Sequence, residues 1–172
     1  HLLDCLMLET IPRAPHLRTW LDLGSGAGLP GLLLAIVHPD YRITAVERVA
    51  KKATFLLEAA RQLALPNFSV ARQEARLLIE QTEFAPRDAL VARAFGPLAE
   101  LLALGRALLR PEGEVWAMKG RRWSAEAEQV PPELRATFDA APEVHAYRLG
   151  AGAQGVVLIY RLRAEAPPLS TT

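Results

Sequence analysis

The stretch Thr19–Glu47, TWLDLGSGAGLPGLLLAIVHPDYRITAVE, decides the fold. It opens on an apolar run (Trp20, Leu21, Leu23) that reads as a buried strand, then breaks at Gly24-Ser25-Gly26-Ala27-Gly28. A helical apolar pattern follows through Leu29, Leu32, Leu33, Ala35 and Ile36, and His38-Pro39-Asp40 ends it. Arg42 to Val46 forms a second apolar strand, with Glu47 at its end. Strand, glycine turn, helix and strand within roughly 30 residues make a βαβ unit, which joins parallel strands by a right-handed crossover. Such a unit places a ligand at the carboxyl ends of its strands, over the turn and the helix N-terminus. A carboxylate at Glu47 is placed to accept hydrogen bonds from ribose hydroxyls. The stretch points to a nucleoside cofactor.

Two spellings of the glycine turn compete. Gly26, Gly28 and Gly31 satisfy G-x-G-x-x-G, the dinucleotide pattern, which is weak evidence when it stands alone. Gly24, Gly26 and Gly28, preceded by Asp22, satisfy G-x-G-x-G, which resembles the first motif of methyltransferases that use S-adenosylmethionine (AdoMet). The remaining strands discriminate between the two. Helix Ala50 to Leu65 leads to a strand at Phe68 to Ala71, and a helical stretch then runs to Glu83. A strand follows at Ala89 to Ala94, a helix at Leu98 to Leu109, and a turn at Pro111-Glu112-Gly113. The fifth strand is Glu114 to Met118, with a polar helix from Ser124 and two closing β segments, Val144 to Leu149 and Val156 to Arg163. A short glycine-containing loop joins those two as an antiparallel hairpin. A dinucleotide domain would continue with parallel strands only. The pattern resembles an α/β fold of the Rossmann-like, class I AdoMet-dependent methyltransferase type, a likeness of architecture. Its mostly parallel seven-stranded sheet has a reversed last strand.

The length of 172 residues suits one domain, expected over 1–163 with a frayed tail at 164–172. The first 15 residues would be the remnant of an N-terminal helical part, because the apolar pattern Leu2, Leu3, Leu6, Leu8 begins uncapped. At 51% apolar and 23% charged the composition is ordinary, and a net charge of +1 confines any RNA contact to a local patch. The single cysteine, Cys5, permits no internal disulfide and suits a cytoplasmic location. No apolar run has membrane-spanning length, and the histidines lack metal-ligand spacing, so neither membrane nor metal is expected.

Five blocks in order carry a narrower resemblance. They are His1-Leu2-Leu3-Asp4-Cys5-Leu6, Asp22 to Gly31 (DLGSGAGLPG), Ala71-Arg72-Gln73-Glu74, Arg93-Ala94-Phe95 and Met118-Lys119-Gly120. Together they resemble the RsmG family, also called GidB, whose members methylate N7 of a guanine in small-subunit ribosomal RNA. Cys5 stands where that family has serine, Gln73 where it has a smaller residue, and its Asn-rich N-terminal segment is absent, as a fragment would show. The resemblance implies AdoMet as cofactor and small-subunit ribosomal RNA, or the ribosomal subunit, as partner. It implies cofactor contacts from Gly24, Gly26, Gly28 and Leu29, ribose binding by Glu47, and an adenine edge at Gln73 and Glu74. Arg93 and Lys119, at the ends of the fourth and fifth strands, become candidates for holding cofactor or RNA, although a structural ion pair would satisfy either charge. Lys119, Arg121 and Arg122 become candidate RNA contacts, with Trp123 able to stack on a base. Two other readings stay open: an NAD-dependent oxidoreductase, and a non-catalytic RNA-binding domain.

Overall fold

A strand buried on both faces is largely apolar without alternation, and β1 (Thr19–Leu23), inside the sheet, meets that condition at Trp20, Leu21 and Leu23, with Asp22 as its one buried charged group. Its side chains alternate between two cores: Trp20 joins one, Leu21 and Leu23 the other, all fully buried. The computed structural model describes residues 2–81, 83–139, 141–149 and 153–165. Its sheet also holds β2 (Arg42–Val46), β3 (Phe68–Ala71), β4 (Arg87–Arg93), β5 (Leu109–Lys119), β6 (Glu143–Leu149) and β7 (Ala153–Arg161). The order is β3-β2-β1-β4-β5-β7-β6. β1 to β5 run parallel, and β7 is antiparallel to both β5 and β6. The expected α/β architecture with a reversed last strand is the observed one.

Helices cover both faces. α1 (Leu2–Leu6), α2 (Gly31–Val37) and α3 (Ala50–Gln62) contribute Cys5, Leu34 and Leu56 to the core around Trp20. Trp116 meets the Trp20 ring edge-on at 5.5 Å, and Tyr41 stacks on it at 5.8 Å. On the other face, α4 (Leu98–Leu108), α5 (Trp123–Glu128) and α6 (Pro132–Arg135) close over Leu101, Leu134 and Phe138. The central register is tied by Asp88, whose Oδ2 accepts from the Arg18 and Thr19 amides at 3.0 and 2.7 Å and from Thr19 Oγ1.

Several boundaries differ from expectation. In place of the helical stretch expected up to Glu83, the residues described through Gln81 form a single 3-10 turn, Ala75–Leu78. The turn at Pro111-Glu112-Gly113 lies inside β5, where Arg87 pairs with Leu109 but Ala89 with Glu114, so the intervening residues bulge out with Glu112 at φ 62°. On α3 the buried face is Ala53, Leu56 and Ala60, spaced i, i+3, i+7, whereas Phe55 and Leu63 are exposed. Most of the expected frayed tail, and the hairpin residues 150–152, lie outside the described residues.

Candidate active site

At the carboxyl end of β1 the chain must reverse within a few residues, and glycine makes this possible. Gly24, Gly26 and Gly28 adopt φ of 66°, 56° and 91°, a region costly for residues with a Cβ. The turn is fastened to β2 by Gly24 and Ser25 amides that donate to the Val46 carbonyl at 2.9 and 3.3 Å. Glu47, 5% exposed, completes the fastening. Its Oε2 accepts from the Gly26 amide at 2.9 Å and its Oε1 from the Val49 amide at 2.8 Å. Each carboxylate oxygen keeps a further lone pair.

Above this turn lies a cavity of about 480 Å³. Gly24, Glu47, Gln73 and Glu74, expected from the sequence as one site, line it together. Phe95 and Gly96, from the loop after β4, line its far side. A Cβ on Gly24 would stand 3.1 Å from Phe95 Cδ2, so the bare backbone is what lets the phenyl ring close over the turn. Ala94, between Arg93 and Phe95, holds φ 53°, strain of the kind that accumulates at functional loops.

Beneath the turn sits Asp22, 1% exposed, whose Oδ2 accepts from the first amide of α2, Gly31 N, at 3.0 Å. Burial pushes its carboxyl up to about 6, against the opposing pull of the Gly31 hydrogen bond and of Arg93. It is thus largely ionised at neutral pH. A dinucleotide pyrophosphate needs the helix N-terminus that Asp22 already occupies, and it would meet a like charge there. An AdoMet cofactor, with an ammonium and a sulfonium, fits: the turn gives backbone access, Glu47 offers lone pairs and Asp22 supplies a favourable field.

The other expected residues fall elsewhere. Gly28 serves packing, since a Cβ there would collide with the Leu32 and Leu56 side chains. Leu29 packs against the core around Trp20 and does not line the cavity. Gly26 holds the turn through its amide. Arg93 lines neither cavity and stands 3.8 Å from Asp4 Oδ2. Lys119, its side chain 8% exposed, donates to the Gly96 carbonyl at 2.7 Å, to the Phe95 carbonyl at 3.3 Å and to Glu126 Oε2 at 2.7 Å. Its three donors are taken, and it braces the loop that carries Phe95. Glu126 Oε2 also accepts from Leu98 N at 3.1 Å, which anchors the start of α4 to the same latch. Arg121 lines a separate cavity, and Arg122 is exposed at the start of α5. No sequence signal marks Glu126, because its partners lie 7 and 28 residues away and two of the latch's acceptors are backbone carbonyls. Among the described residues no three His, Cys, Asp or Glu side chains gather to hold a metal.

The profile of the GidB family, described as rRNA small subunit methyltransferase G, matches residues 1–152. The chain is 42% identical over 133 residues to ribosomal RNA small subunit methyltransferase G of Paracoccus denitrificans, across 76% of this chain and 65% of that protein. It is 44% identical over 138 residues to the protein of the same name from Leptothrix cholodnii, across 78% of this chain and 61% of that one. The chain thus spans less than two thirds of the length of these relatives. Among solved structures, TrmN from Thermus thermophilus superposes with a TM-score of 0.68 at 23% identity, over 93% of this chain and 47% of its own, a likeness of fold. The chain belongs to the GidB family, rRNA small subunit methyltransferase G.

Proposed function

We propose that this chain binds AdoMet in the cavity over the Gly24 turn and serves methyl transfer to N7 of a guanine in small-subunit ribosomal RNA, in the cytoplasm. One observation carries the cofactor assignment: Gly24, Glu47, Gln73, Glu74 and Phe95 converge on one cavity whose turn sits over a buried carboxylate. Family membership supports the substrate.

Bound there, AdoMet supplies an electrophilic methyl group on a sulfonium. Glu47 is held rigid by two backbone amides and receives the ribose hydroxyls on its remaining lone pairs. Gln73 accepts from Gln81 Nε2 at 2.9 Å, which leaves its amide N–H groups for the adenine edge. Glu74 is steadied by Arg48 at 3.5 Å and Arg76 at 3.2 Å. Guanine N7 carries an unprotonated lone pair at neutral pH, so the attack needs no general base. The protein's task is then positioning, in line with the methyl–sulfur bond and away from water. Arg93, which lines neither cavity and stands beside Asp4, acts on RNA or cofactor binding only through its neighbours. No acid–base pair is required, which agrees with a cavity whose acids are engaged in binding.

The test is calorimetric titration with AdoMet and, separately, NADH, followed by transfer of labelled methyl to small-subunit ribosomal RNA and to the intact subunit. Micromolar AdoMet binding with label at guanine N7 is expected. Tighter binding of NADH would instead select an oxidoreductase, and RNA affinity without AdoMet affinity a non-catalytic RNA-binding domain.

A further inference from the structure

A second cavity, of about 460 Å³, opens where β5 ends and the β6–β7 hairpin passes. That volume lies within the ~300–1,000 Å³ of small-ligand sites. It shares no lining residue with the first. Gly120, Arg121 and Trp123 line one side, and Tyr147, Arg148 and Gly155 the other. The two rings are anchored in different cores: Trp123 packs on the core around Leu101, Tyr147 on that around Trp20. Tyr147 lies across Gly155, its cross-strand partner, where a Cβ would stand on the phenol.

Charge separates the two cavities. In the first, Glu47, Glu74 and Glu100 face Arg48, Lys52 and Arg76, and Glu74 holds both arginines. Among the described residues no acidic side chain lines the second. Arg121 and Arg148 are exposed there and form no ion pair among the described residues. Two uncompensated guanidiniums and two anchored aromatic rings are what a splayed nucleotide uses: phosphate on the cations, base on a ring face. We infer that this cavity binds one nucleotide of single-stranded RNA, its phosphate held by Arg121 and Arg148 and its base stacked on Trp123 or Tyr147. The inference extends the RNA-methyltransferase reading and rests on it for the identity of the polymer.

The test measures anisotropy of a fluorescein-labelled single-stranded heptaribonucleotide with the full chain, Arg148→Glu and Gly120→Leu. A Cβ at Gly120 meets nothing within 4 Å, so a leucine fills the cavity without crowding the backbone. Both variants should keep the melting temperature and the calorimetric affinity for AdoMet. Each should weaken RNA binding about tenfold, with a shallower salt dependence for Arg148→Glu. Unchanged RNA affinity in both variants would overturn the assignment, as would equally tight binding of a hexaglutamate peptide. Weakened RNA binding upholds it even if the wild-type chain fails to bind AdoMet, an outcome that would count against the cofactor reading alone.

Discussion

At Asp22, burial and hydrogen bonding pull in opposite directions. The carboxyl's ordinary value of 3.8 rises to about 6 in the folded chain, with burial the largest cause. The folded state therefore binds the proton more tightly than the unfolded one. The stabilisation from the neutral form is full below about pH 4 and is lost as pH rises through about 6, a swing of about 3 kcal/mol. Asp22→Asn keeps an acceptor for Gly31 N and removes the titration. Its stability relative to the natural chain should thus rise between pH 4 and 7, in denaturant melts at the two values; a constant difference would contradict the assignment. Gly28 offers a different test, since a Cβ there meets both strain at φ 91° and the side chains of Leu32 and Leu56. Gly28→Ala should lose roughly 3 kcal/mol of stability. Such glycines are legible in a sequence because no other residue adopts their backbone cheaply. Ala94 is not: it holds φ 53° through the loop around it, and alanine advertises nothing.

Among the elements, the loop between β4 and α4 depends on one ammonium group. Lys119 bonds two carbonyls of that loop and the Glu126 carboxylate, while Glu126 also fixes the first amide of α4. Lys119 is thus a positioning residue for Phe95, which closes on Gly24. Lys119→Ala leaves Glu126 without its cation and should cost about 2 kcal/mol, less than a fully buried pair because Glu126 is one-third exposed. AdoMet affinity should fall about tenfold if the loop swings by the distance that misplaces a positioned group, while heptaribonucleotide affinity holds. Loss of RNA binding with intact AdoMet affinity would instead make Lys119 a direct RNA contact. The strands and the βαβ unit were legible because burial on both faces demands continuous apolar runs. On α3, by contrast, residue type alone misleads: Phe55 and Leu63 have core-like side chains, but geometry buries the smaller Ala53 and Ala60 beside Leu56. The latch itself was hidden, because carbonyl acceptors belong to every residue and leave no mark on side-chain type.

Across the whole molecule, two cavities of similar volume lie over one edge of the sheet and differ in charge. The first balances three acids against three bases and stands over ionised Asp22; among the described residues, the charged side chains lining the second are all cationic. A ligand's response to salt should therefore reveal where it binds. AdoMet at a hundred times its Kd should stabilise the fold by about 2.7 kcal/mol, which for a chain of this size raises Tm by roughly 5–10 °C. That shift should change little between 50 and 200 mM salt, because binding displaces few counterions from a balanced cavity. Heptaribonucleotide affinity should fall with salt at a slope of about −0.7 per phosphate contacted. NADH, carrying a pyrophosphate toward Asp22, should give no comparable shift. Thermal melts at the two salt concentrations, with each ligand in turn, measure all three responses on one sample. An AdoMet shift that collapses at 200 mM would place its binding among the cations of the second cavity and reverse the assignment of the two sites.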